Sequence, residues 1–242
     1  MSNKLDLMAC WNDVRTLLSG HREAVLAVAG VFHFFPALAV GFLVPQPVVE
    51  KATDFNGALA IMLDYMAANM PWLMAASLLA MAGSLSILTG VMRTGRPTVG
   101  ASILLALTLL PAYFLGSVLS GLAIAAGLFV MLLPGVFLAI KFSLLAPIAA
   151  AEGPVGALTL LRRSWQLTSG NTLRIGLFFA VILLVGWIGM AVVGALAGVA
   201  AALLLPAEGA FIARVTIDSL AGTVLSVVLL LGSAALYRQL RG

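Results

Sequence analysis

From Pro97 to Ile140 the chain runs for 44 residues without an Asp, Glu, Lys, Arg or His. A bilayer core takes roughly 20 apolar residues per helical crossing, so this stretch alone is long enough to cross twice. The rest of the chain is of the same kind. Charged residues make up 9% and hydrophobic residues 62%, with a mean hydropathy of +1.15. A soluble domain carries about 25% charged residues. The expected fold is an all-α integral membrane protein, with residues 1–242 forming one polytopic domain and no soluble catalytic domain.

The apolar runs place six spans: Ala24–Val44, Trp72–Met92, Thr98–Leu119, Ala123–Ala149, Ile175–Ala201 and Ile217–Tyr237. A short turn near Ser120-Gly121 joins the third and fourth. The fifth apolar run continues to Leu205 and must tilt or protrude. With the N-terminus inside, the cytoplasmic cations are Lys4, Arg15, Arg22, Arg93, Arg96, Arg162, Arg163, Arg174, Arg238 and Arg241. Only Lys51 and Arg214 fall outside, and Lys141 lies within a span. That asymmetry is a strong positive-inside bias and puts both termini in the cytoplasm. It also accounts for the net charge of +4 without nucleic acid, because the cations sit at helix ends. No cleaved leader is expected, and the first apolar run is read as an uncleaved span.

Two segments have the pattern of amphipathic helices. In Lys4–Leu18 the residues Leu7, Trp11, Val14 and Leu18 form an apolar stripe. In Pro154–Leu167 the residues Thr159, Arg162, Arg163 and Gln166 form a narrow polar strip, with Pro154 suited to a first helical turn. Each fits a helix lying in the membrane interface, and each equally fits a helix packed on the cytoplasmic end of the bundle. The outer loop Pro45–Pro71 has apolar residues at helical spacing (Phe55, Leu59, Met62, Met66) and suits a short helix. A weak internal repeat is visible. One amphipathic helix ends at Ser19-Gly20 before span one, and another at Ser169-Gly170 before span five.

Few residues carry chemistry. Cys10 is the single cysteine, which excludes an internal disulfide and a cysteine metal site. His33 lies mid-span, three residues before Pro36, which deprives the Phe32 carbonyl of its helical partner. His33 serves there either as a polar compensator, bonding a serine on a neighbouring helix, or as a proton or ligand site. Lys141 lies eleven residues before Glu152, about 16 Å deeper on a helix rising ~1.5 Å per residue. Glu152 and Ser164 are its candidate partners, and anchoring and a contact to a substrate phosphate are both open. Arg214 and Asp218 are spaced for an i,i+4 pair. Trp187, deep in span five, reads as core packing. Gly194 and Gly198 form a GxxxG pair, and Ala76, Ala80 and Ser84 a small-residue stripe.

Enzyme signatures are missing: HExxH, Walker A, GxSxG and paired intramembrane aspartates do not occur. The chain is expected to be non-enzymatic, with no cofactor and no metal. The leading expectation is an envelope-organising or lipid-interacting protein. Its candidate contact residues are His33, Lys141, Glu152, Arg162, Arg163 and Trp165, and its partners are membrane lipids, above all anionic headgroups. The alternative is a small transporter or lipid-translocating protein with a path lined by His33, Lys141 and a span four broken around Pro134.

The most specific text runs from Leu133-Pro134-Gly135-Val136 through Lys141, Ala146-Pro147 and Glu152-Gly153 to Arg163-Ser164-Trp165-Gln166-Leu167-Thr168-Ser169-Gly170-Asn171. It resembles the YciC-like inner-membrane proteins and the related membrane domain fused to some glycerophosphoryl diester phosphodiesterases. Thr89-Gly90 and Tyr237-Arg238-Gln239-Leu240-Arg241 also look like that group, in which an arginine is frequent where Lys141 stands. The resemblance implies a six-span bacterial cytoplasmic-membrane protein with both ends inside. It does not imply phosphodiesterase activity, which in the fused proteins belongs to a separate soluble barrel.

Overall fold

A computed structural model describes residues 5–47, 54–93, 95 and 97–241. Lys4, Glu50, Lys51 and Arg96 therefore lie outside the described residues. The described residues form helices and no strands, and six helical stretches are long and apolar enough to cross a membrane. The protein is a polytopic helical membrane protein.

Helix α1 (Leu7–Ala29) starts on Asp6, whose carboxylate accepts from the amides of Met8 and Ala9. The amphipathic segment and span one follow each other with no loop between them. His21 is non-helical (φ −137°, ψ 20°), so two helices meet at a kink directly after Ser19-Gly20, where the sequence places the end of the amphipathic helix. Cys10, Val14 and Leu17 are buried, whereas Trp11 and Leu18 are exposed. This corrects the stripe read from the sequence: the face turned to the protein lies one position round the helix. Leu5 belongs to that face, and its amide bonds Asn171 Oδ1 at 3.4 Å.

Next comes a single wide turn, Gly30–Phe34, in which the Phe35 amide reaches five residues back to the Gly30 carbonyl. Pro36, with no N–H to give Phe32, explains the extra residue in the turn. Helix α2 (Phe35–Leu43) completes the span. Helix α3 (Phe55–Ala68) is the short loop helix foreseen in the sequence, capped by Asp54 on the Gly57 amide at 2.7 Å. Helix α4 (Met70–Met92) is the second span.

The third and fourth spans differ from expectation. Helix α5 (Val99–Val130) runs straight through Ser120-Gly121, and the turn comes at Met131. Ser120 bonds its own helix, Oγ to the Ser117 carbonyl at 2.9 Å, so it needs no turn. The chain reverses where two glycines meet. A methyl on Gly127 would lie 3.0 Å from Gly135 Cα, and one on Gly135 would collide with Leu128. Pro134, third in helix α6 (Leu132–Lys141), has no N–H to offer the Val130 carbonyl and so stands just behind this reversal. A second break lies at 142–144, before helix α7 (Leu145–Glu152). Pro147 causes it, because it has no N–H to offer the Ser143 carbonyl.

Helix α8 (Ala157–Thr168) begins three residues later than Pro154, which lies in the linker. Gly170, at φ +87°, ends the connection to helix α9 (Thr172–Leu204), and helix α10 (Ala207–Arg241) closes the fold. A helix junction thus follows both Ser19-Gly20 and Ser169-Gly170, as a kink at His21 in the first case and as a turn with Gly170 at positive φ in the second.

The tightest packing lies towards one end. Leu230–Tyr237 of α10 is buried throughout, against Val25, Leu85, Leu88, Ile148 and Ile175. Span one and α10 are antiparallel: in α2 a methyl on Gly41 would strike Val215, and Phe42 meets Phe211 edge-on with centroids 6.0 Å apart, both partners lying in the first third of α10. Leu5 and Arg241 therefore share one end of the bundle, termed the basic end. Away from it α9 exposes Leu177, Leu184, Trp187 and Leu196, as a helix surrounded by lipid does. Trp187 is 69% exposed, which corrects its assignment to the core. The GxxxG pair is also not a tight contact. A methyl on Gly198 would meet nothing within 4 Å, and one on Gly194 only Asp218 Oδ1 at 3.9 Å.

Candidate functional site

The break in span four shapes the basic end. A helix interrupted inside a bilayer leaves carbonyls and amides that must find partners. Ser164 of α8 supplies them. Its Oγ donates to the Lys141 carbonyl at 2.7 Å and accepts from the Leu144 amide at 3.4 Å. Ser164 is fully buried, so one hydroxyl closes both sides of the joint. Thr168, one turn on, is also buried and returns its hydroxyl to the Ser164 carbonyl at 2.8 Å.

Lys141 ends α6 beside this joint and is 5% exposed. Neither partner expected from the sequence holds its ammonium. Glu152 is engaged elsewhere, and Ser164 binds the lysine backbone rather than the side chain. The break turns the chain after Lys141, so the straight-helix distance between Lys141 and Glu152 does not apply. Nζ donates to Ser169 Oγ at 3.1 Å and lies 5.1 Å from the Trp165 ring centroid and 5.4 Å from that of Phe137. Trp165 meets Phe137 edge-on and leans on Phe142. The lysine is therefore clasped by two ring faces and one hydroxyl, an arrangement that holds a cation without an opposing charge.

Glu152 belongs to a second cluster. Arg163 grips it through Nη2–Oε1 at 2.9 Å and Nε–Oε2 at 3.2 Å. The Tyr237 hydroxyl donates to Oε1 at 3.1 Å, and Arg241 Nη1 donates to the Tyr237 oxygen at 3.1 Å. The network ties α7, α8 and α10 together. The hydrogen bonds and charge of Glu152 raise the Arg163 pKa further above its ordinary value. Arg93 caps the end of α7, with Nε on the Ala150 carbonyl at 3.0 Å. Gly153 follows at φ +86°, a conformation that favours glycine.

The outward face of α8 is different. Leu158, Arg162 and Trp165, at i, i+4 and i+7, are all exposed. The inward face is Ala157, Leu160, Ser164 and Thr168. The helix packs on the bundle and still offers an apolar and cationic face outward.

His33 is remote from all of this. It lies in the wide turn of span one, with Nε2 3.4 Å from Ser84 Oγ on α4. That is the neighbouring-helix serine foreseen in the sequence, and Gly83 beside it permits the contact, since a methyl there would strike Phe32. Arg214 and Asp218 form their i,i+4 pair at 3.7 Å in the exposed part of α10.

Sequence reading missed Tyr237, Arg93 and the aromatic clasp. The signal for the clasp was present as Phe137 four residues before Lys141, one turn away on the same face. Trp165 and Ser169 share a similar i,i+4 spacing, but nothing in the sequence shows that the two pairs face each other. No family model, curated protein or solved structure matches this chain.

Proposed function

We propose that the chain is a non-catalytic protein of a bacterial cytoplasmic membrane, with its basic end in the cytoplasm, and that it acts by contact with anionic lipid headgroups to organise the envelope around it. The observation that carries this reading is the outward face of α8. Leu158 and Trp165 flank Arg162 on a helix whose other side is packed on the bundle. Tryptophan favours the headgroup level, and a basic residue near an anionic surface contributes about 1 kcal/mol. The YciC-like likeness is part of the same proposal. The residues that carry it, Leu133 to Asn171, hold the span-four joint, the Lys141 clasp and the Glu152–Arg163 pair. Two cavities at the basic end are lined by neither His33 nor Lys141, which favours lipid contact over a path through those residues.

The test uses Trp165 as sole fluorophore, with Trp11, Trp72 and Trp187 replaced by Phe. In liposomes, brominated phosphatidylglycerol should quench it more than brominated phosphatidylcholine, and Arg162→Glu should remove the difference. Equal quenching by both lipids in the Arg162 protein would overturn the reading.

A further inference from the structure

The basic end contains a second cationic group that the α8 face does not use. An open cavity of about 560 Å³ lies where α1, α4, α7 and α10 converge. Its polar wall is Thr16, His21, Arg238, Arg241 and Tyr237, whose oxygen accepts from Arg241 at 3.1 Å, and its floor is apolar, with Leu17, Val91 and Met92. No carboxylate is among the described residues that line it. The His21 ring is fixed by its Nδ1–H, which donates to the Leu17 carbonyl at 3.2 Å, and this leaves Nε2 as an acceptor for a ligand hydroxyl. His21, at the kink in α1, is part of the cavity wall. Ligand pockets have volumes of roughly 300–1,000 Å³, and paired arginines match the oxygens of a phosphate.

A smaller cavity of about 50 Å³ adjoins it and shares His21 and Val91 as lining. Its walls are mostly apolar: Ala24, Val25, Val28 and Ile87 among them. Ser102, in the second turn of α5, also lines it. Ser102 is 3% exposed, and its Oγ has no hydrogen-bond partner among the described residues. The neighbouring hydroxyls are satisfied. Ser86 bonds the Ala82 carbonyl, and Thr89 bonds the carbonyls of Ser86 and Ser102. A buried hydroxyl without a partner is uncommon and calls for an occupant.

We infer that these adjoining cavities form one binding site for a phosphate ester amphiphile, with the phosphate between Arg238 and Arg241, a headgroup hydroxyl donating to His21 Nε2, and an uncharged oxygen of the same ligand at Ser102. The order of groups matches a glycerophospholipid entering from the basic end. The phosphate stays at the wet mouth, an ester or hydroxyl oxygen reaches one helical turn deeper, and hydrocarbon follows the apolar wall. The site rests on the lipid-contact reading above but uses none of its residues, so either can fail alone.

The test is retention of phosphatidylglycerol by the full chain in mild detergent, read by native mass spectrometry and by titration. One phosphatidylglycerol per chain should survive delipidation, and phosphatidylcholine should not. Arg238→Gln should weaken binding about tenfold. Arg238 holds no other group among the described residues, so this variant isolates ligand binding from folding. Ser102→Ala should weaken binding severalfold without lowering the melting temperature. Arg162→Gln should leave binding unchanged. Displacement by millimolar glycerol 3-phosphate or inorganic phosphate would support the site and name a soluble phosphate as its source, whereas resistance to both would support the lipid. Retention unchanged in Arg238→Gln and Ser102→Ala, or lost equally in Arg162→Gln, would overturn the proposal. If the Trp165 quenching difference persisted alongside such a result, only the discrete site would have failed.

Discussion

Arg163 and Glu152 meet fork to fork, with contacts of 2.9 and 3.2 Å, and the same Glu152 Oε1 also receives the Tyr237 hydroxyl. The two side chains differ in burial, at 42% exposed for Arg163 and 15% for Glu152. Removing the acid should therefore cost more than removing the base, because Glu152→Ala strands both Arg163 and Tyr237. A double-mutant cycle in detergent should give a coupling of about 1 kcal/mol between Glu152→Ala and Arg163→Ala. A coupling near zero would mean that water screens the pair.

Lys141 should be coupled to Trp165. Trp165→Leu removes one ring of the clasp. In the native background it should destabilise more than in a Lys141→Met background, by about 0.5–2 kcal/mol, the range of a cation over an aromatic face. Equal costs in both backgrounds, measured by thermal unfolding, would show that the ammonium takes nothing from the indole.

Ser164→Ala should be the most damaging single-atom change at this end. It leaves the Lys141 carbonyl and Leu144 amide unpartnered in a buried joint. A loss of about 1–3 kcal/mol is expected, with faster hydrogen exchange confined to residues around 142–145. Protection at Leu144 equal to that of the native chain would show that the joint is held without the hydroxyl.

The glycines should separate sharply. Gly135→Ala forces a methyl onto Leu128 and should cost about 1–3 kcal/mol as overpacking. Gly198→Ala meets open space and should be silent. A melting temperature that fell for Gly198→Ala and held for Gly135→Ala would contradict the packing described here.

The orientation is tested by reporter fusions after Gly170 and Gly242, which should report cytoplasmic. One after Thr53, outside the described residues, should report the opposite side. A periplasmic signal at Gly170 would reverse the assignment of the basic end.

The six crossings were legible because hydrophobic length is set by the bilayer and not by the fold. The loop helix after Asp54 was legible for a similar local reason. The turn between spans three and four was not. Ser120-Gly121 has turn chemistry for water, but inside lipid a serine bonded to its own helix and a glycine without a clash are ordinary helical residues. Gly127 and Gly135 decided the matter through a contact between two helices, which no local pattern displays. Pro134 and Pro147 present a related lesson: each is third in its helix and follows an interruption, but only at 142–144 does a hydroxyl from another helix close the gap. Trp187 was misplaced because lipid accepts an indole that water would drive inward. The site was half legible. Lys141, Glu152, Arg163 and Trp165 all sit at the basic end, but their partners proved to be Ser169, Tyr237 and one another in unexpected combinations.

Ser164 also dictates an order of assembly. Span four carries both sides of its joint, but the hydroxyl that closes it lies on α8, beyond the Gly153 turn. While the chain is being synthesised, α6 and α7 enter the membrane with that seam still open, and only the arrival of α8 seals it. The loop helix therefore acts as a keystone laid from outside the membrane, and a truncation before Ala157 would leave the fourth crossing inserted but unfinished.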